Sequence, residues 1–291
     1  MTPTKRPDVV HLALPKGRIQ SGVFGLLAEA GIRVTSGARG YRPSLSLPGF
    51  ETKLLKPQNI VEMLAAGTRD VGLAGADWVV EKGLELVELL DTGLDPVRLI
   101  AAAPAERLDD ENFLRGPLVV ASEYENLARG WMKARKIDGS FVRTYGATEV
   151  FPPEDADVII DNTATGATLL ANGLQILDEI LLSSTRLYAN PRALQNPVKR
   201  IAIENLTLCL QSVIEARSRA MIDLNVPRAD LESIVGSLPA MRQPTVSNLH
   251  DSSGFAVRAA VARDLLPSLI PQLKARGATD IVVSRCEQIV P

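Results

Sequence analysis

The chain has 291 residues, 46% apolar and 23% charged, a globular composition with length for about two domains. A formal charge of −2 and a pI near 5.9 exclude the broad basic footprint of a nucleic-acid binder. An anionic ligand therefore has to be held by a few local charges and by backbone N–H groups.

Val9–Leu14 is a short apolar run ended by Pro15-Lys16-Gly17, the pattern of a buried strand and a turn. Ser21–Ala30 reads as a helix stopped by Gly31. Leu45–Leu55 carries two strand-like pieces around Pro48-Gly49, a hairpin signal. Asn59–Ala66 is an amphipathic helix closed by Gly67, Asp70–Ala74 a strand, Trp78–Lys82 a helix, and Leu86–Leu90 and Val97–Ala103 two further strands. From Arg115 the pattern repeats: strand Leu118–Ala121, helix Asn126–Arg135, strand Phe141–Thr144, a short helix from Thr148, strand Val158–Ile160 and a helix from Thr168. Leu177–Leu182 and Arg186–Ala189 return as strands, and Asn196–Arg217 is a long helix.

Strands alternating with helices argue for parallel α/β sheets, and a run of this length for two lobes. The Pro96, Pro104 and Ser183-Ser184 regions are the candidate crossings. The tail differs. Strand Ala220–Val226, helix Pro227–Val235, paired strands Thr245–Leu249 and Phe255–Val261, helix Leu265–Ala275 and strand Ile281–Ser284 give the ferredoxin-like order βαββαβ.

Other signals are weaker. The start, Met1 to Asp8, is polar, and the apolar run after it is too short for a signal peptide. No segment reaches the roughly 18 apolar residues of a membrane helix. Cys209 and Cys286 lie far apart in apolar runs and read as buried thiols in a reducing cytoplasm. Two histidines, His11 and His250, cannot build a His-rich metal site, and His11 at the start of a strand reads as structural.

The most informative segment runs from Asp157 to Leu169. An apolar strand delivers the chain to a turn of small and hydroxyl residues, and a helix begins. Backbone N–H groups without intrahelical acceptors point outward there, and the helix dipole favours an anion. Thr163, Thr165 and Thr168 add hydroxyl donors, and Gly166 lets a phosphate approach the backbone. The Gly-Lys-Ser/Thr ending of a Walker loop is missing. A carboxylate, Asp161, would repel a phosphate, and makes sense if it grips another part of the same ligand, such as ribose hydroxyls or the metal-bound side. A phosphorylated ribose meets both demands. A capped helix whose threonines satisfy its own N–H groups is the competing reading, and the residues alone leave both open.

This segment resembles the phosphoribosyl-pyrophosphate loop of the ATP phosphoribosyltransferases, which open histidine biosynthesis. The match is carried by Thr165-Gly166-Ala167-Thr168-Leu169 followed by Ala171-Asn172-Gly173-Leu174. Leu14-Pro15-Lys16-Gly17-Arg18 resembles the family's first loop, and Lys56-Pro57-Gln58-Asn59-Ile60 a motif beginning Arg-Pro. Asp70-Val71-Gly72-Leu73-Ala74-Gly75-Ala76-Asp77 resembles Asp-x-Gly-Ile-x-Gly-x-Asp, while Tyr124–Leu127 and Gly146–Glu149 match two motifs of the second lobe. The tail is similar to the regulatory domain of the family's long form.

The resemblance implies an α/β fold: a two-lobed periplasmic-binding-protein-like catalytic part plus the ferredoxin-like domain. Residues 1–95 with 185–217 would form the first lobe, 96–184 the second, and 218–291 the regulatory domain. It implies that ATP and phosphoribosyl pyrophosphate give phosphoribosyl-ATP and pyrophosphate, with Mg²⁺ on the pyrophosphate. Asp161, Asn162, Thr163, Ala164, Thr165, Gly166, Ala167 and Thr168 would hold phosphoribosyl pyrophosphate. Lys16, Gly17, Lys56, Gly75, Asp77, Tyr124 and Glu149 would face ATP, and Lys16, Arg18 and Asp161 would act in the reaction. Each has a plainer alternative: Asp77 as a helix cap, Tyr124 packed on its lobe, Glu149 favouring a helix dipole. No metal ligand and no general base is assigned.

Asn225, Met241, Gln243, Thr245, Ala260 and Asp280 align with family positions that contact histidine as inhibitor. The chain departs from the pattern at Lys56, where the family has Arg, at Asn162 and Thr163, where apolar residues are common, and at Asn225, where an acidic residue can pair with the histidine amino group. Gln243 and Ala260 are partial fits. A homo-oligomer, dimer or hexamer, is expected in the cytoplasm, with no nucleic-acid or membrane partner. A two-lobed solute-binding protein and a non-catalytic subunit sensing an amino acid are the alternative functions.

Overall fold

The computed structural model describes residues 8–35, 40–110 and 113–290. The polar start, Met1–Pro7, lies outside the described residues. One compact unit runs to Thr207, and a second takes Glu29–Gly31 and the chain from Leu208 onward.

The first unit begins with β1 (Val10–Pro15), α1 (Gln20–Glu29), β2 (Val34–Thr35), β3 (Ser44–Leu45), β4 (Phe50–Leu55), α2 (Pro57–Ala65), β5 (Val71–Gly75) and α3 (Ala76–Lys82). It continues with β6 (Val87–Pro104), β7 (Leu118–Ser122), α4 (Glu125–Arg135), β8 (Gly139–Arg143), β9 (Val158–Thr163), α5 (Ala167–Ala171) and β10 (Leu174–Ala189). Helix α6 (Pro191–Gln195) follows, and α7 (Pro197–Ser218) runs from the first unit into the second.

Eight strands form one sheet in the order β4-β1-β5-β10-β6-β9-β7-β8. Its outer pairs are parallel, as α/β alternation predicts. The centre departs from that expectation: β10 is antiparallel to β5 and β6, and β6 to β9. The two pairs of short strands read in the sequence are in fact two long strands of 18 and 16 residues. Pro96 and the Ser183-Ser184 step mark irregularities in their ladder rather than ends, because each strand finds its partner again beyond the bulge. Both strands therefore belong to both halves of the sheet. Leu99, Ala101 and Ala103 of β6 join one core cluster, and Ile100 and Ala102 join another on the opposite face. The centre is thus buried on both sides, as its unbroken apolar run demands.

The hairpin expected around Pro48-Gly49 does not form. β3 pairs with β2, while all six residues of β4 pair in parallel with β1. Burying Thr52 and Leu54 beside β1 outweighs the local turn signal.

The second unit contains β11 (Arg219–Pro227), α8 (Leu231–Val235), β12 (Thr245–Asn248), β13 (Gly254–Ala262), α9 (Leu266–Ala275) and β14 (Thr279–Ser284). Its sheet, β12-β13-β11-β14, is wholly antiparallel, the ferredoxin-like order. Along β11 the residues alternate: Ala220, Ile222, Leu224 and Val226 are buried, and Met221, Asp223 and Asn225 point to the other face. Cys209 and Cys286 are free and half-buried, not fully buried as the apolar runs suggest. Cys209 lies on α7 between exposed Leu208 and buried Leu210, at the edge of the core-facing stripe. Among the described residues no helix is long and apolar enough to cross a membrane.

Candidate active site

Strand β9 carries Val158, Ile159 and Ile160 fully buried and then emerges with Asp161, Asn162 and Thr163 half-exposed. Gly166 follows with φ of 80°, a left-handed backbone that glycine adopts without strain, and α5 begins. The loop's own hydroxyls take two of its donors: Gly166 N–H donates to Thr163 Oγ1 at 2.9 Å and Ala167 N–H to Thr165 Oγ1 at 3.3 Å. Capping and ligand reception thus share the same atoms, since a hydroxyl that accepts from the backbone can donate its own proton outward.

The loop walls a cavity of about 280 Å³, completed by Arg18, Val97 and Glu149. Burial pushes the Asp161 carboxyl up to about 6 from an ordinary 3.8, against the Asn162 N–H, whose donated hydrogen bond pulls it down. The carboxylates of Glu149 and Glu123 push it further up. Glu149 lines the loop cavity together with Asp161.

A second, narrower cavity adjoins the first and shares Arg18, Val97 and Asn162 with it. Gly75, Asp77, Trp78, Tyr124, Ser183 and Thr185 are among its walls. Asp77 is 5% exposed and fully engaged. It accepts from Tyr124 Oη at 2.6 Å and Ser183 Oγ at 2.6 Å, while its own N–H donates to Ser183 Oγ at 3.0 Å. A Cβ on Gly75 would meet Asp77 Oδ1 at 2.2 Å, so a side chain there would displace the Asp77 carboxylate. Tyr124 is 1% exposed and stacked on Trp78, with centroids 4.5 Å apart. Its hydroxyl also accepts from Asn162 Nδ2 at 2.9 Å. Burial, then the Asp77 carboxylate, hold the phenol well above its ordinary pKa. One ring face is covered by Trp78 and the hydroxyl serves Asp77 and Asn162, so Tyr124 stands here as packing and as a bridge between Asp77 and Asn162.

Beneath this contact Glu81, 3% exposed, accepts from Asn126 N–H at 3.1 Å and Leu127 N–H at 3.0 Å. Its carboxylate caps α4 from α3 and ties the two motifs together. Nothing in the sequence pattern singles it out.

The remaining expected site residues are more dispersed. Lys16 Nζ lies 5.2 Å over the Tyr41 ring, and Arg18 reaches both cavities with a side chain 57% exposed. Gly17 has φ of 91°, which makes the turn after β1. Lys56 precedes α2 and is exposed, next to Pro57, which lines the second cavity. His11 is structural: at 7% exposure it donates its N–H to Asp70 Oδ2 at 2.8 Å, and Lys199 Nζ holds the same carboxylate at 2.8 Å. In the second unit Met241, Gln243, Thr245 and Ala260 line one pocket with Met221 and Arg258. Asn225 and Asp280 hydrogen-bond each other at 2.8 Å instead. Asn225 lies four residues along β11 from Met221, the partner of Ala260, which is about 13 Å at strand rise. The six aligned positions thus form two groups.

Asp95, Ser183 and Thr185, which also wall the second cavity, carried no motif. A Gly-Leu-Asp-Pro step was the one available signal, for Asp95 alone.

Among the described residues no group of three or more His, Cys, Asp or Glu side chains converges as a metal cage.

Comparison with known proteins fits this geometry. Residues 56–212 match the model of the family described as HisG, ATP phosphoribosyltransferase, and residues 216–288 that of the HisG C-terminal domain. The ATP phosphoribosyltransferase of Chlorobaculum parvum is 36% identical over 280 residues, 94% of this chain and 95% of that one. That of Pelotomaculum thermopropionicum is 35% identical over 288 residues, 97% and 99% of the two chains. Among solved structures, the ATP phosphoribosyl transferase (HisG:HisZ) complex from Thermotoga maritima superposes with a TM-score of 0.63 at 26% identity, covering 71% of this chain and 99% of that one. The chain belongs to the ATP phosphoribosyltransferase family, in the long form that carries the C-terminal domain.

Proposed function

We propose that the chain joins ATP to phosphoribosyl pyrophosphate, forming phosphoribosyl-ATP and pyrophosphate at the entry to histidine biosynthesis. The observation that carries this reading is the loop cavity lined by a half-buried carboxylate, beside a second cavity that shares Arg18 and Asn162 with it. The threonine turn suits the 5′-phosphate, Asp161 the ribose hydroxyls, and Arg18, Lys16 and Lys56 the polyphosphates. The cleft lies between lobes 1–95 with 185–217 and 96–184.

In this reaction N1 of adenine forms a bond to the anomeric carbon as the bond to pyrophosphate breaks. Negative charge grows on the leaving group, where Arg18 can meet it, and positive charge on the ribose, beside Asp161. Catalysis is then positioning and electrostatic preorganisation. Mg²⁺ would arrive on the pyrophosphate, the usual mode for an ion that keeps few protein ligands, with Asp161 and Glu149 facing it and the ion stabilising leaving-group charge. Histidine is proposed as feedback inhibitor at the pocket of Met241, Gln243, Thr245 and Ala260. A cytoplasmic homo-oligomer, dimer or hexamer, completes the reading.

Purified protein with ATP, phosphoribosyl pyrophosphate, Mg²⁺ and pyrophosphatase should accumulate an ultraviolet-absorbing adduct; none, from folded protein, refutes the function. Histidine should slow that reaction and raise the thermal midpoint. Equal midpoints with histidine and with other amino acids refute the effector assignment.

A further inference from the structure

Two buried oxygens in the narrow cavity stand apart from the partnered groups around them. Asp95 has φ of 47°, a left-handed backbone uncommon outside glycine, and it precedes a proline, which restricts it further. It sits at a bulge: Leu94 pairs with Thr185 and Val97 with Ser183, so Asp95 and Pro96 together oppose Ser184. The bulge turns the Asp95 side chain toward the cleft, where Oδ1 lies 3.9 Å from Arg18 Nη1. Its Oδ2 is buried with no hydrogen-bond partner among the described residues. That oxygen lies against Gly22 of α1, where a Cβ would come within 3.2 Å of it, so the carboxylate has to turn on its side-chain bonds to meet a ligand in the cavity. Thr185 is 1% exposed, and its Oγ1 likewise has no partner among the described residues. Both residues wall the cavity beside Asp77 and Asn162. Unpaired buried oxygens are unfavourable and rare, and strained backbone collects at ligand sites.

We infer that Asp95 and Thr185 read the adenine edge that stays free while N1 reacts, Asp95 accepting from the 6-amino group and Thr185 donating to N7. The inference rests on the proposed function and deepens it. N1 has to face the ribose carbon held in the loop cavity, so recognition falls to the edges that N1 leaves free, among them the edge of the 6-amino group and N7. That edge presents one donor, the outer hydrogen of the 6-amino group, next to one acceptor, N7. A carboxylate and a hydroxyl are the matching pair. When N1 bonds to carbon, positive charge spreads to the 6-amino nitrogen, and the Asp95 carboxylate offsets it there. A 6-oxo purine would set an acceptor against the carboxylate and be rejected.

Binding of ATP, inosine triphosphate and 7-deaza-ATP is measured by calorimetry on the full-length protein. Wild type should prefer ATP over inosine triphosphate by about tenfold or more, the usual worth of a hydrogen bond to a charged group. Asp95→Asn should erase that preference, because the amide can turn its NH₂ toward a 6-oxo group. Asp95→Gly should erase it too, and glycine suits the left-handed backbone, which keeps a folded variant available. Thr185→Val should leave the preference intact but remove discrimination between ATP and 7-deaza-ATP. A wild type that binds none of the three overturns the function and this site together. A wild type that prefers ATP, with Asp95→Asn and Asp95→Gly keeping that preference, overturns the site alone.

Discussion

Asp161→Asn should make the ligand-free protein more stable at neutral pH and strip it of activity. The folded carboxyl titrates near 6 against an ordinary 3.8, chiefly because burial penalises its charged form. That gap corresponds to about 3 kcal/mol between the protonation states. The sign follows from proton counting. Between the two values the folded chain holds a proton that the unfolded chain has lost, so stability falls as pH rises through this window and is level above it. Asn carries no charge and keeps an oxygen for the Asn162 N–H, which now donates at 2.7 Å. Urea unfolding of wild type and variant should therefore coincide near pH 3.5 and diverge between about pH 4 and 6. Above pH 6.5 the variant should lead by up to about 3 kcal/mol, less whatever water relieves at a half-exposed site. A variant that is less stable at pH 8, or whose advantage does not change with pH, refutes the claim that this carboxylate is held charged at a penalty. The same variant should lose affinity for phosphoribosyl pyrophosphate; unchanged affinity would remove Asp161 from the site.

Other buried groups give contrasting expectations. Burial would raise the Asp70 carboxyl, yet Lys199 and His11 hold it below the ordinary range, so its contribution is present above that range and lost as pH falls through the depressed value. Lys199→Met should therefore cost about 3 kcal/mol in urea at pH 7, and adding Asp70→Asn should restore most of it; a double variant as unstable as the single one contradicts the pairing. Gly75→Ala forces its Cβ onto Asp77 and should cost about 1–3 kcal/mol, with kcat/KM falling at least tenfold, since Ser183 and Tyr124 lose their common acceptor. Glu81→Ala leaves two N–H groups of α4 uncapped and should cost about 1–2 kcal/mol, read by thermal unfolding; an unchanged midpoint means water replaces the carboxylate.

Local patterns in the sequence carried much of the fold. Apolar runs and glycine stops place β1, α1, α2, α4 and the whole tail within a few residues, because these elements are decided by their own periodicity. What was not legible is what depends on distant partners. Pro96 and Ser183-Ser184 look like breaks until β6 and β10 lie side by side and each bridges the other's irregularity. Pro48-Gly49 looks like a hairpin until β1 is available to β4. The site divides in the same way. The loop from Asp161 to Leu169 was legible because it is contiguous, and its cavity-lining residues come from one turn. The second cavity draws its walls from α2, β5, α3, β6, β9 and β10 and from the turns before α1 and α4, and no local motif announces Ser183 or Thr185.

Partnership separates the structural acids of this chain from the acids of its cleft. Asp70 has an ammonium and an N–H, Asp77 has two hydroxyls, Glu81 has two helix N–H groups, and Asp178 has the Trp131 indole and the Arg135 guanidinium. Each of these carboxylates completes its own surroundings. Asp161 instead has one N–H from its neighbour, with two more carboxylates nearby, and Asp95 has a distant guanidinium and an oxygen with no donor among the described residues. A chain that satisfies its buried acids so consistently elsewhere has no folding reason to leave these two under-coordinated. Consistency across levels is broken where something outside the chain is needed to restore it. The two proposed substrates, one bringing ribose hydroxyls to Asp161 and the other an amino group to Asp95, with their reacting atoms between them, would complete both.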